Sequence, residues 1–237
     1  MSKGKEAIVV ALTVTANIIF MVSCATADTR SYVWTYEYGT EPKGGAEIEY
    51  YFTAQHGGKN STGTSYEHQV ELEYGITDHW DVGMYQMVKK EGSGSLDYEG
   101  FKLKTRYRFG GREKYFIDPE VYVEYENRTG EKEAIELKLI LAKDIGEFNI
   151  AYNQIEEITA GHGGMVEHEF AVGMSYPVSH AFRAGLETMG SYTEKEYAIG
   201  PTIAWAAGRL WANVGVLFGM NNNTANTQVR FLLGIPF

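Results

Sequence analysis

From residue 46 onward the chain alternates apolar and polar side chains with a period of two, segment after segment. Ala46, Ile48, Tyr50, Phe52 and Ala54 stand against Glu47, Glu49, Tyr51, Thr53 and Gln55. The same pattern sets Val70, Leu72, Tyr74 and Ile76 against Gln69, Glu71, Glu73 and Gly75, and Phe101, Leu103, Thr105, Tyr107 and Phe109 against Lys102, Lys104, Arg106 and Arg108. It returns around residues 121–125, 135–141, 148–152, 166–174 and 229–237. Side chains of a strand point alternately to opposite faces, so each segment reads as a strand with one apolar and one polar face. Helical membrane insertion of this part is excluded, because its longest apolar run, 210–220, is too short to span and contains Asn213 and two glycines.

Alternation fits two architectures. A soluble sandwich buries the apolar face, whereas a transmembrane barrel turns it to lipid and encloses the charged face in a lumen. Three features choose the barrel. Tight connections at 77–79, 110–114, 143–146, 177–180 and 206–209 alternate with longer polar ones at 56–65, 91–97, 127–132, 156–164, 190–195 and 221–226, as periplasmic turns alternate with outer loops. Aromatics at strand ends (Trp80, Tyr115, Phe116, Phe182, Trp205 and Trp211) suit interfacial girdles. The final segment places Val229, Phe231, Leu233, Ile235 and Phe237 on one face. A last strand of alternating hydrophobics ending in phenylalanine resembles the assembly signal of Gram-negative outer-membrane barrel proteins. That resemblance implies recognition of Phe231, Leu233, Ile235 and Phe237 by the barrel-assembly machinery.

The N-terminus points to the same compartment. Lys3 and Lys5 precede residues 7–22, apolar except for Thr13, Thr15 and Asn17, and Ala25-Thr26-Ala27 follows. This is the pattern of a secretory signal peptide over 1–27, cut after Ala27. The rival processing is lipidation at Cys24, since Met21-Val22-Ser23-Cys24 loosely resembles a lipoprotein box. Cys24 is the only cysteine, so an intrachain disulfide and a cysteine metal cluster are excluded. The formal charge of -10 disfavours nucleic-acid binding, and removal of Lys3, Lys5 and Glu6 with the signal makes it -11.

Both termini of such a barrel lie in the periplasm, so the strand number must be even. The segment around Tyr32, Trp34, Tyr36 and Tyr38 would make a thirteenth strand. Residues 28–44 are therefore expected to form an extended segment at the periplasmic rim or tucked into the lumen, ending in a periplasmic turn. Residues 45–237 then form an all-β, antiparallel up-and-down barrel of about 12 strands, within a range of 10 to 14. Glu41-Pro42-Lys43-Gly44-Gly45 and the run from Tyr74-Gly75-Ile76-Thr77 to Gly83 resemble small outer-membrane proteins labelled transporters or aromatic-pathway porin-like proteins. That likeness implies a barrel more firmly than any cargo.

Catalytic chemistry is poorly represented. Outer-membrane lipid hydrolases resemble one another in setting a His and a Ser two positions apart on one strand face. His68 has Tyr66 and Val70 at that spacing, and His168 has Val166 and Phe170. His56, His79, His162 and His180 fall in connections, too scattered for a metal site, and no cofactor motif occurs. The lumen carries the functional lead. Lys102, Lys104, Arg106 and Arg108 form a basic stripe, followed on the next strand by Asp118, Glu120, Glu124 and Glu126. Glu47, Glu49, Glu71 and Glu73 add an acidic sector. Opposed stripes either lock as a structural ladder or set a transverse field across a water path. The inward faces also collect Glu67, Asp81, Glu136, Glu167, Glu169 and Glu187 against Lys89, Lys138, Arg183 and Arg230, which leaves an acidic excess. These features point to a passive channel for small solutes, with outer-membrane lipids as surroundings; a non-conducting structural or surface-interaction barrel is the alternative, and a lipid-acting outer-membrane enzyme the third reading.

Overall fold

A computed structural model describes residues 30–58, 63–161 and 164–237. The signal segment 1–27, its cleavage after Ala27, the alternative at Cys24, and His162 lie outside the described residues. Twelve strands follow one another: β1 (Ala46–His56), β2 (Thr64–Thr77), β3 (Trp80–Glu91), β4 (Asp97–Arg108), β5 (Asp118–Arg128) and β6 (Ala134–Ile145). The second half comprises β7 (Phe148–Thr159), β8 (Val166–Pro177), β9 (Phe182–Ser191), β10 (Glu196–Ala207), β11 (Leu210–Gly219) and β12 (Thr227–Pro236). Every strand pairs antiparallel with its sequence neighbours, and β12 returns to β1 to close the barrel. The closing ladder runs from Glu47 opposite Pro236 to His56 opposite Thr227, and the Phe237 N–H donates to the Ala46 carbonyl at 2.8 Å. Closure removes both sheet edges, so ladder pairing runs around the whole ring.

The distribution of side chains is inverted relative to a soluble protein. Ile48, Val70, Leu72, Leu103, Leu139, Leu186, Ile203 and Ile235 are exposed on the outside, while Glu47, Glu71, Glu73, Asp81, Lys104 and Glu120 are buried inside. An encircling apolar band of this extent is far larger than the patch a soluble monomer leaves to water. It fits lipid, which decides between the two architectures that the alternation allows.

Two expectations are corrected by the fold. Trp211 is not a girdle residue: it is 0% exposed, faces the lumen and donates through Nε1 to Glu47. Its parity on β11, shared with Asn213, Gly215 and Leu217, puts it inside, and Gly234 opposite leaves the room its indole occupies. The other correction concerns the connection from β4 to β5, which spans 109–117 and is not tight. It folds back on itself because the Asp118 carboxylate accepts the N–H groups of Glu113 (2.6 Å) and Tyr115 (3.1 Å). Trp80, Tyr115, Phe116 and Phe182 are exposed.

The segment from Arg30 to Gly45 forms no strand and lies in the lumen, in the half nearest the short turns. Its backbone is satisfied by wall side chains instead of a ladder. Glu187 accepts the N–H groups of Val33 (2.7 Å), Trp34 (2.8 Å) and Thr35 (2.7 Å). Asn153 accepts the Tyr36 N–H at 2.6 Å and donates to its carbonyl at 2.8 Å. Asn213 donates to the carbonyls of Arg30 (2.8 Å) and Tyr32 (3.1 Å). Buried backbone groups need such partners, and inward polar residues at mid-strand positions supply them. Glycines on the wall admit the segment's rings: a Cβ at Gly173 would lie 2.5 Å from Tyr32, and one at Gly215 2.5 Å from Trp34.

Candidate functional site: the charged lumen

The basic stripe of β4 faces inward and pairs to both sides. Lys102 reaches forward to β5, 2.9 Å from Glu124 and 2.8 Å from Glu126. Lys104 turns the other way, crossing β3 to meet Glu73 at 2.6 Å and Glu71 on β2. The register explains the crossing. Glu73, Gly83 and Lys104 stand in one row over three strands, and Gly83 has no side chain to fill the gap. Arg106 binds Asp81 at 2.7 Å and also pairs with Glu73. Arg108 leaves the ladder and braces the N-terminal segment, donating to Thr40 Oγ1 at 2.9 Å and to the Asp78 carbonyl at 2.8 Å.

Space at Gly83 is therefore a structural requirement. A Cβ there would stand 2.6 Å from a Glu71 carboxylate oxygen and 2.7 Å from Lys104 Cε. Gly83→Val is expected to destabilise the barrel by about 1–3 kcal/mol through overpacking. Urea unfolding in non-ionic detergent reads the shift, and an unchanged midpoint would show that Lys104 does not need this passage.

The predicted acidic residues divide by role. Glu47 accepts from Trp211, and Glu49 lies 3.3 Å from Arg30 and also accepts from Tyr51. Glu71 accepts from Tyr51 at 2.8 Å, besides pairing with Lys104. Carboxylate oxygens of Glu49, Glu71 and Glu73 converge within 4.8 Å of one another. The positive charge such a cluster calls for comes from Lys104, Arg106 and Arg30. Glu120 accepts the Gly39 N–H at 2.8 Å and so holds the segment, while Asp118 caps a connection and does not enter a path. Glu124 accepts from Tyr122 at 2.5 Å, and Glu126 pairs with Arg128.

At the centre stands Tyr36 of the segment. The cations of Lys138, Arg30 and Lys104 lie 4.4, 4.6 and 5.9 Å from its ring centroid, and its hydroxyl meets that of Tyr85 at 3.3 Å. Cavities flank the segment on both sides. Toward the long loops lie two, one of about 200 Å³ bordered by Tyr36, Tyr85, Tyr122, Glu169 and Arg230, and one of about 480 Å³ beside Arg128 and Glu157. Toward the turns lie two, of about 540 Å³ beside Arg30 and Arg183 and about 470 Å³ beside Glu37 and Arg112.

Sequence reasoning placed the charged stripes on one face but missed Asn149, Asn153 and Asn213, which hold the segment, and the segment's own Arg30, which ties it to Glu49. The three asparagines carry the only available signal, as uncharged polar residues at inward strand positions. His56 is not in a connection as expected but ends β1, paired with Thr64 and Thr227; His68 and His168, within β2 and β8, face outward. His68 hydrogen-bonds Tyr50 at 2.7 Å and His168 pairs with Glu156; among the described residues no hydrogen bond joins either ring to a serine.

No family model matches the chain, and no curated protein matches it. Solved structures do. The KdgM porin in complex with disordered oligogalacturonate is similar with a TM-score of 0.58 at 12% identity, over 81% of this chain and 98% of that one. The KdgM porin alone gives 0.58 at 11% identity with the same coverage. The NanC porin gives 0.55 at 10% identity, over 80% of this chain and 98% of that one. At these identities the likeness is one of fold: this chain has the closed barrel fold of outer-membrane porins.

Proposed function

We propose that the chain is an outer-membrane channel through which small solutes pass down their own gradient, its waist narrowed by the N-terminal segment. The observation that carries this is the ionic lumen with cavities on both sides of a segment that hydrogen bonds, not a strand ladder, fix to the wall. On this reading the short turns face the periplasm and residues 1–27 direct export. The barrel-assembly machinery then inserts the barrel among outer-membrane lipids. Deleting Phe237 is expected to slow insertion, because the final strand loses its aromatic end; an undiminished yield of heat-modifiable folded protein would count against that role.

Ion selectivity tests the channel. Lys102, Lys104 and Arg106 are neutralised by their own partners, whereas Glu157, Glu167 and Glu169 have no ion pair among the described residues. Fixed charge acts most strongly at low salt, where the Debye length is long. A weak cation preference is expected from the reversal potential across a salt gradient in planar bilayers, and it should shrink in the Glu167→Gln/Glu169→Gln double variant. Anion selectivity lost in Arg106→Ala and Arg108→Ala would show instead that the stripe governs.

A second reading, a non-conducting structural barrel, is favoured by the density of bonds that hold the segment. No conductance from either the mature chain or a chain lacking residues 30–40 would establish it.

A further inference from the structure

The charges bordering the cavity on the loop side do not all find partners. Lys102 is taken up by Glu124 and Glu126, and Lys138 by Glu136 at 2.9 Å. Glu169 on β8 and Arg230 on β12 border the same cavity and have no ion-pair partner among the described residues. They sit on different walls, four strands apart around the ring. Arg230 donates to Thr53 Oγ1 at 2.9 Å and lies over the Trp34 ring, 5.9 Å from its centroid, with Glu67 acting on it at longer range. Around Glu169 stand the carboxylates of Glu167, with which it shares a hydrogen bond, of Glu157, and of Glu136, the last answered by Lys138, so that wall keeps a net negative charge.

A third group points the same way. Trp34 is 8% exposed, borders the cavity, and its Nε1 donor has no hydrogen-bond partner. Its benzo edge is wedged against Gly215 on β11, so the pyrrole edge carrying Nε1 is directed away from that wall. A buried donor left unmade is costly, and beside a guanidinium it supplies a second donor to a carboxylate.

We propose that this cavity is a binding subsite for a small zwitterionic solute of the amino-acid type. Arg230 and Trp34 Nε1 take the carboxylate, and Glu169, backed by Glu167, takes the ammonium group. Ile155 and Met189 border the cavity as its apolar surface for the solute's side chain. The volume of about 200 Å³ lies below the roughly 300–1,000 Å³ of pockets for drug-sized ligands and suits a solute of one small unit. A singly charged solute would leave one wall charge unanswered. The subsite deepens the channel reading by naming a solute class, but binding does not depend on conduction.

Calorimetric titration of the mature barrel in non-ionic detergent tests the subsite with three matched probes: L-phenylalanine, 3-phenylpropionate and phenethylamine. L-Phenylalanine is expected to bind, with either single-charge analogue at least about tenfold weaker, as loss of a charged hydrogen-bond partner implies. Arg230→Gln should erase the advantage of L-phenylalanine over phenethylamine, and Glu169→Gln its advantage over 3-phenylpropionate. Equal binding of either analogue to the unaltered barrel, or no binding of L-phenylalanine, overturns the proposal without needing a variant to fold. Binding without conductance would remove the channel reading alone; conductance without binding would remove the subsite alone.

Discussion

Lys104→Met is expected to cost the barrel about 3–5 kcal/mol, the loss typical of breaking a buried ion pair from one side. The methionine keeps most of the stem's volume, so the effect isolates the ammonium. Lys104 is 1% exposed at its side chain and serves Glu71 and Glu73, themselves 0% and 2% exposed. With the ammonium gone, Glu73 keeps Arg106, but Glu71 is left with Tyr51 as its hydrogen-bond donor. An uncompensated carboxylate in a water-poor interior is the most costly remnant such a change can leave. Lys102→Met should cost less, because that side chain is 15% exposed and Glu126 retains Arg128. Urea unfolding in non-ionic detergent ranks the two. Adding Glu71→Gln to Lys104→Met should recover part of the loss, since it removes the stranded charge. Equal effects of the two lysine changes, or no recovery in the pair, would place the stability of this wall elsewhere.

Why the strands could be read in advance and this ion pair could not follows from the range of each signal. Alternation is local: Val70, Leu72 and Tyr74 declare their face from their spacing alone, because lipid on one side and a lumen on the other act on every second residue. The inward position of Trp211 was equally available from parity with Asn213 and was obscured only by its place near a strand end. Lys104 is different. Its reach to Glu71 depends on which residue of β3 comes between, and that depends on the register of two ladders, which no local pattern fixes. The N-terminal segment was half legible. Parity excluded Tyr32, Trp34, Tyr36 and Tyr38 from a thirteenth strand, but the partners that draw them into the lumen, Glu187, Asn153 and Asn213, lie more than a hundred residues away.

Removing that segment is expected to have the largest effect on conductance. A chain lacking residues 30–40 should show single-channel steps several-fold larger than the full mature chain, because the rings of Tyr36 and Trp34 leave the waist. Glu187→Ala separates obstruction from attachment. Its carboxylate accepts three backbone N–H groups, and a hydrogen bond to a charged group is worth about 1.5–3 kcal/mol net. Losing even about 3 kcal/mol in total raises the population of a displaced segment by roughly a hundredfold. The point variant should therefore flicker between the two conductance levels, with the upper level matching the deletion. Glu187→Gln keeps one carbonyl acceptor and should lie between. If the deletion raises conductance and Glu187→Ala leaves it at the lower level, the bonds from Asn153, Asn213 and Glu120 hold the segment without Glu187. If neither change alters the steps, the segment does not stand in the ion path, and the narrowest point lies in the paired charges of β2 to β5.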